Sequence, residues 1–143
     1  MDKNKKVTYS DKRASWFMYV ELNTKMTTQS ITQVYNEQRI TGDIKSALDS
    51  IYSIFPSTRR ILTTFGSDGK RFANLAFGML NVEIRPFTTK WHRIMTDESI
   101  IMLPGEFHED LKELQDRLVP FVNEFYEMAK TPDEDLYIKE MEK

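Results

Sequence analysis

EFHEDLKELQDRLVPFVNEFYEMAK, residues 106–130, decides the fold of this chain. Its apolar residues Phe107, Leu111, Leu114, Leu118, Phe121, Phe125 and Met128 recur at alternating intervals of four and three. Only an α-helix places such a series on one stripe. Pro104 and Gly105 punctuate the start, and Glu106, Glu109 and Asp110 suit the positive end of a helix dipole. Pro132 follows the finish, and Pro120 lies inside, where a missing N–H predicts a bend. The stripe reads first as the core of the molecule or the seam of a helical homo-oligomer through 106–130, and only then as a binding groove.

Working backwards, residues 43–65 predict a second helix with Ile44, Ala47, Leu48, Ile51, Ile54, Phe55, Ile61, Leu62 and Phe65 on its apolar face. Pro56 is expected to kink this helix or split it into two pieces; the phase survives across Pro56, which favours one kinked helix, and Gly66 stops it. Residues 71–84 predict a third, with Phe72, Leu75, Ala76, Met79 and Leu80 together. It is expected to end near Ile84, because Arg85 precedes Pro86 and is steered out of the helical region. Thr88 or Thr89 would then cap a short helix containing Lys90–Met95. Trp16-Phe17-Met18-Tyr19-Val20 has strand propensity, but a lone strand has no partner here. The reading is a mostly buried helix over 11–28, capped by Ser10 or Asp11, and a final turn is expected around 133–141. The fold expectation is therefore all-α, a single-domain bundle of four to five helices kinked at Pro56 and Pro120, ordered over about residues 10–130.

Composition narrows the chemistry. The chain has 143 residues and no cysteine, which excludes disulfides, Fe–S clusters and thiolate zinc sites. Its two histidines, His92 and His108, argue against a histidine-based metal site. No apolar run approaches the ~18 residues of a membrane span, and the start lacks a signal-peptide core. A cytoplasmic protein that does not insert into a membrane is the expectation. The net charge of −2 conceals an asymmetry: residues 58–96 hold seven basic and two acidic side chains, residues 97–143 five basic and fourteen acidic. The acidic part packs against the basic middle, or both are solvated faces, or the middle meets an anionic ligand or partner.

LNVEIRPFTTKWH, residues 80–92, concentrates the candidate site. Pro86 fixes the direction in which Arg85 leaves the backbone, and a guanidinium so held loses little freedom on gripping a phosphate or carboxylate. The alternative is that Arg85 caps helix carbonyls or pairs with Glu83. Lys90, Trp91, His92 and Arg93 follow. A Trp among cations suits base stacking, but it also suits a core. Arg59 and Arg60 would converge with Arg85 if the second and third helices pair, and Asn81 stands one turn before it. No P-loop, nucleophile elbow, HExxH or dinucleotide fingerprint is present, so no cofactor, metal or catalytic residue is expected.

Three strings resemble a family of small, poorly characterised prokaryotic all-helical proteins: YVELNTKMTTQ (19–29), ALDSIYSIFPSTRRIL (47–62) and LNVEIRPFTTKWH (80–92). The family shows YVEL-x-T-[KR], AL-x-S-[IL]-[YH]-S-[IL]-F followed by T-R, and LN-x3-RPF-x3-WH. The resemblance covers about residues 16–95. It implies a link to antiviral defence loci, in which some soluble domains bind cyclic oligonucleotides and switch an effector. It also implies Arg85, Lys90, Trp91 and His92 as the positions to test.

The expected function is a non-catalytic binding or adaptor module. Its ligand-binding residues would be Arg85, Lys90, Trp91, His92, Arg93, Arg59, Arg60 and Asn81, presented to an anionic ligand such as a nucleotide or nucleic acid. The competing expectation is a protein–protein scaffold in which the motif is structural and Trp91 fully buried. A small phosphodiesterase or nuclease using His92 ranks third.

Overall fold

Among the residues that the computed structural model describes (6–26, 37–97 and 104–133), all regular structure is helical. The α-helices are α1 (Tyr9–Lys25), α2 (Glu37–Tyr52), α3 (Ile54–Phe65), α4 (Lys70–Gly78), α5 (Arg85–Thr96) and α6 (Pro104–Ala129). A short 3-10 turn, Gly66–Asp68, joins α3 to α4, and a π-helical segment, Met79–Ile84, joins α4 to α5. The turn expected around 133–141 lies outside the described residues beyond Asp133.

The long apolar stripe is spent inside the chain. Phe107, Leu111, Leu114, Leu118, Phe125 and Met128 are buried on α6, Phe121 is half-buried, and Val122 joins them. These side chains belong to one hydrophobic cluster with buried residues of every other α-helix, so the stripe is not available as the seam of a homo-oligomer. Pro120 lies inside α6 on its exposed side. The carbonyl its missing N–H leaves unpaired belongs to Asp116, also exposed, where water can satisfy it.

α1 packs chiefly along α6 and then α3. Its cap is Thr8 rather than Ser10 or Asp11. The Thr8 hydroxyl accepts the Asp11 N–H at 3.0 Å while the Asp11 carboxylate accepts the Thr8 N–H at 3.0 Å, a reciprocal capping box. The helix is also less buried than its composition suggests. Ala14, Ser15, Met18 and Leu22 face the core, whereas Trp16, Phe17 and Val20 are exposed.

The 43–65 pattern divides at Ser53 instead of continuing as one kinked helix. α2 ends at Tyr52, and Pro56 falls in the first turn of α3, where its missing N–H is one that has no intrahelical partner in any case. Gly66 ends α3 with φ +67°, as its position in the pattern implied.

The larger departure comes at Pro86. The helix does not stop near Ile84, and Thr88 and Thr89 cap nothing. α4, the π segment and α5 run on without a non-helical residue from Lys70 to Thr96. Arg85 keeps helical angles (φ −58°, ψ −44°) although it precedes a proline, and its N–H bonds the Leu80 carbonyl five residues back. In a regular α-helix the Pro86 ring would meet the carbonyl of Val82. The wider π turn relieves that clash, which is how the rod passes through a proline. Thr88 instead turns its hydroxyl back to the Arg85 carbonyl at 3.0 Å.

Aromatic side chains fill the centre. The Trp91 and Phe107 rings meet edge to face at 4.9 Å, Phe87 lies 5.8 Å from Phe107, and Phe72 lies 5.4 Å from Phe125. No helix of the described residues is long and apolar enough to cross a membrane.

Candidate functional site

The π turn sets the site. Asn81, Arg85, Thr89 and Arg93 stand four residues apart and are all exposed, forming one ridge along the outer side of the rod. With Pro86 and Lys90 they line an open cleft of about 390 Å³. No carboxylate is among those lining residues. Arg85 is oriented from two directions: its Nε–H donates to the Asn81 side-chain oxygen at 3.2 Å, and its guanidinium lies over the Phe55 ring at 4.9 Å. Asn81 and Phe55 are uncharged, so the positive charge of Arg85 is steered without being cancelled. Glu83, its expected partner, bonds Arg117 of α6 at 3.1 Å instead.

Lys90 and Trp91 behave differently from the other members of the motif. Asp110 of α6 takes both the Lys90 ammonium and the Trp91 indole N–H, the latter at 3.0 Å. The asymmetry in charge along the sequence is thus partly internal, one acidic residue of α6 meeting the basic stretch. Trp91 is 0% exposed, packed on Phe107 and Phe87, so its faces are not open to a ligand. The reason is its phase: Phe87 and Trp91 follow Ile84 of the π segment along the inner side of the rod. Lys90 keeps about half of its side chain exposed and remains on the rim of the cleft.

A second cleft of about 370 Å³ adjoins the first, sharing Arg85 and Thr89 and adding Tyr52, Phe55, Thr88 and His92. Tyr52 donates its hydroxyl to the Thr88 carbonyl at 3.0 Å, tying α2 to α5. Burial, with the Asp49 carboxylate nearby, raises its phenol above the ordinary value and keeps it a donor. His92 is exposed and meets the Tyr52 ring edge-on at 6.4 Å.

Arg59 and Arg60 do not converge with Arg85. Neither lines either cleft. Phe55, in the first turn of α3, is what reaches Arg85, and the two arginines lie further along a helix that turns toward α1. There Arg60 acts on Glu21. Burial pushes the Glu21 carboxyl up, but hydrogen bonds from Lys25 and Ser57, with the charges of Lys25 and Arg60, outweigh it and hold the carboxyl below its ordinary range.

Tyr52, Phe55, Thr89 and Asp110 were not among the expected ligand-binding residues. Phe55 sits in the apolar pattern of 43–65 and reads there as core, and Tyr52, beside Ile51, has no local signal that marks it as part of a site. Asp110 reads as one of many acids on α6, since its partners are twenty residues away or nearly so. Among the described residues no group of three or more His, Asp or Glu is placed to hold a metal ion. What the fold and site define is an all-α protein with paired open clefts, one basic and one aromatic, on either side of Arg85. No family model, curated protein or solved structure matches the chain.

Proposed function

We propose that the chain is a single-domain, non-catalytic binding module whose basic cleft holds an anionic group, a phosphate or carboxylate, of a small ligand or nucleic acid. The observation that carries this reading is the convergence of Arg85 and Arg93 in one open cleft, with Arg85 steered by Asn81 and Phe55, and with Lys90, already paired with Asp110, on the rim. A guanidinium oriented in advance by neutral groups gives up little freedom on forming a bidentate bond to an oxyanion. The expected site is altered in two respects: the aromatic contribution does not come from Trp91, and Arg59 and Arg60 line neither cleft. The family resemblance adds cyclic oligonucleotides, and a role in antiviral defence, to what is worth testing.

A thermal-shift panel of pyrophosphate, ADP, a cyclic dinucleotide and short single-stranded RNA tests the reading. A ligand at a hundred times its Kd stabilises the folded state by about 2.7 kcal/mol, readily seen for a domain of this size. The shift should vanish in Arg85→Ala/Arg93→Ala, whose exposed side chains leave the core intact. A flat panel sinks the proposal.

The burial of Trp91 favours a second reading, a protein–protein scaffold in which the Trp-His part of the motif is structural and the acidic outer side of α6 docks a basic partner. That reading expects no response to any anion and a loss of partner binding when acids of α6 are neutralised.

A further inference from the structure

We propose that the second cleft seats a flat heterocycle of the nucleobase kind, so that the two clefts together take a nucleotide unit, free or within an oligonucleotide. The proposal rests on the anion-binding reading above and names the ligand class of the same site. The contrast between the clefts points to it. One side of Arg85 carries Lys90 and Arg93, and the other carries the rings of Tyr52, Phe55 and His92, drawn from α2, α3 and α5. A ligand that spans them needs negative charge at one end and a planar ring at the other.

Arg85 is suited to join the two ends. Its guanidinium already lies over Phe55 at 4.9 Å, and such a plane stacks on a ring while its N–H groups reach an oxyanion. Tyr52 is anchored through its hydroxyl to the Thr88 carbonyl, so its ring is positioned before any ligand arrives. The Thr89 hydroxyl and the His92 ring add polar groups at the rim, which a heterocycle with donors and acceptors on its edge can use and a plain hydrocarbon ring cannot. The volume of about 370 Å³ falls within the range of roughly 300–1,000 Å³ usual for small-molecule sites.

The test compares ADP with pyrophosphate, which share a diphosphate and differ in the nucleoside, by calorimetric titration of the intact protein. Phenyl phosphate and a short single-stranded RNA are further arms. ADP or the RNA should bind at least about tenfold more tightly than pyrophosphate, the size of one stacked base. That ratio should collapse toward one in His92→Ala and in Tyr52→Leu, whatever either variant does to pyrophosphate itself. In the wild type, the His92 ring resonances should shift with ADP and stay in place with pyrophosphate, a measurement that does not depend on a variant folding. Pyrophosphate binding as tightly as ADP would overturn the proposal and leave the anion-binding reading standing. Phenyl phosphate matching ADP would overturn it too, by assigning the cleft to any aromatic ring. No binding in any arm would overturn both.

Discussion

Asp11 accepts the backbone N–H of Thr8 at 3.0 Å and that of Phe72 at 2.9 Å from a position 1% exposed. One carboxylate therefore closes the start of α1 and fixes the first turn of α4 against it. Asp11→Ala strands the buried N–H of Phe72 and leaves the half-buried N–H of Thr8 to water, and the combined loss of the cap and of the cross-helix bond should cost about 2–4 kcal/mol. Asp11→Asn keeps one acceptor and should cost less than half as much. Urea unfolding of both variants checks the ranking, and equal losses would mean that the link to Phe72 contributes little. At this scale the sequence was partly legible. Thr8 and Asp11 have the spacing of a capping box, but nothing local announces a bond across sixty-one residues. Arg85 was misread at its backbone, because the steric effect of Pro86 on its neighbour is relieved by a π turn that no local signal announces, and its side chain is oriented by Asn81 and Phe55 instead. The role of Trp91 was not legible either, since a Trp among cations is as compatible with a surface platform as with a core, and only its phase on the rod decides.

The π segment is an element-scale device. It contributes one residue more than an α-helix needs between Phe72 and Trp91, and that extra residue lets both halves bury the same side despite Pro86. The apolar positions of 72–91 are broad enough to satisfy either register, which is why periodicity alone did not disclose the insertion. A deletion exposes the logic. Removing Val82, which is 65% exposed, should return the rod to a regular α-helix but leave a proline in its interior, at a cost of about 3 kcal/mol. Combining that deletion with Pro86→Ala should recover stability to within about 1 kcal/mol of the wild type. Thermal unfolding of the two variants separates these cases. If the double variant is as unstable as the single one, the π turn is required by packing rather than by the proline. Asn81 and Arg85 would then stand three residues apart rather than four, so the same variant should weaken anion binding while it folds well. The length and phase of α6 were readable because every residue of its stripe meets the same demand. The break at Ser53 was less so, because a proline that kinks a helix and one that opens a helix leave the same apolar pattern.

Across the whole molecule the two tryptophans divide the labour of reporting. Trp91 is fully buried beside Phe107, and Trp16 is 51% exposed on the outer side of α1, stacked on Tyr19 at 5.6 Å. Trp16→Phe should leave a blue-shifted emission that acrylamide quenches poorly until the protein unfolds. Its red shift should coincide with the loss of helical circular dichroism, as expected of one cooperative core. An early shift would mark the α5–α6 contact as a separate unit. The all-helical class was legible because periodicity is a property of the chain alone. How the helices pair was not, because it depends on which apolar sides meet. The pairing of α1 with α6 has a consequence for the order in which the protein is made. α1 is synthesised well before its main neighbour, which begins at Pro104, so at ~5–20 residues per second it waits several seconds for α6. Through that interval the side of α1 that α6 will cover, marked by Ser15 and Tyr19, lies open beside the exposed Trp16 and Phe17, and a nascent chain stalled before α6 presents that surface to whatever chaperone or protease meets it first.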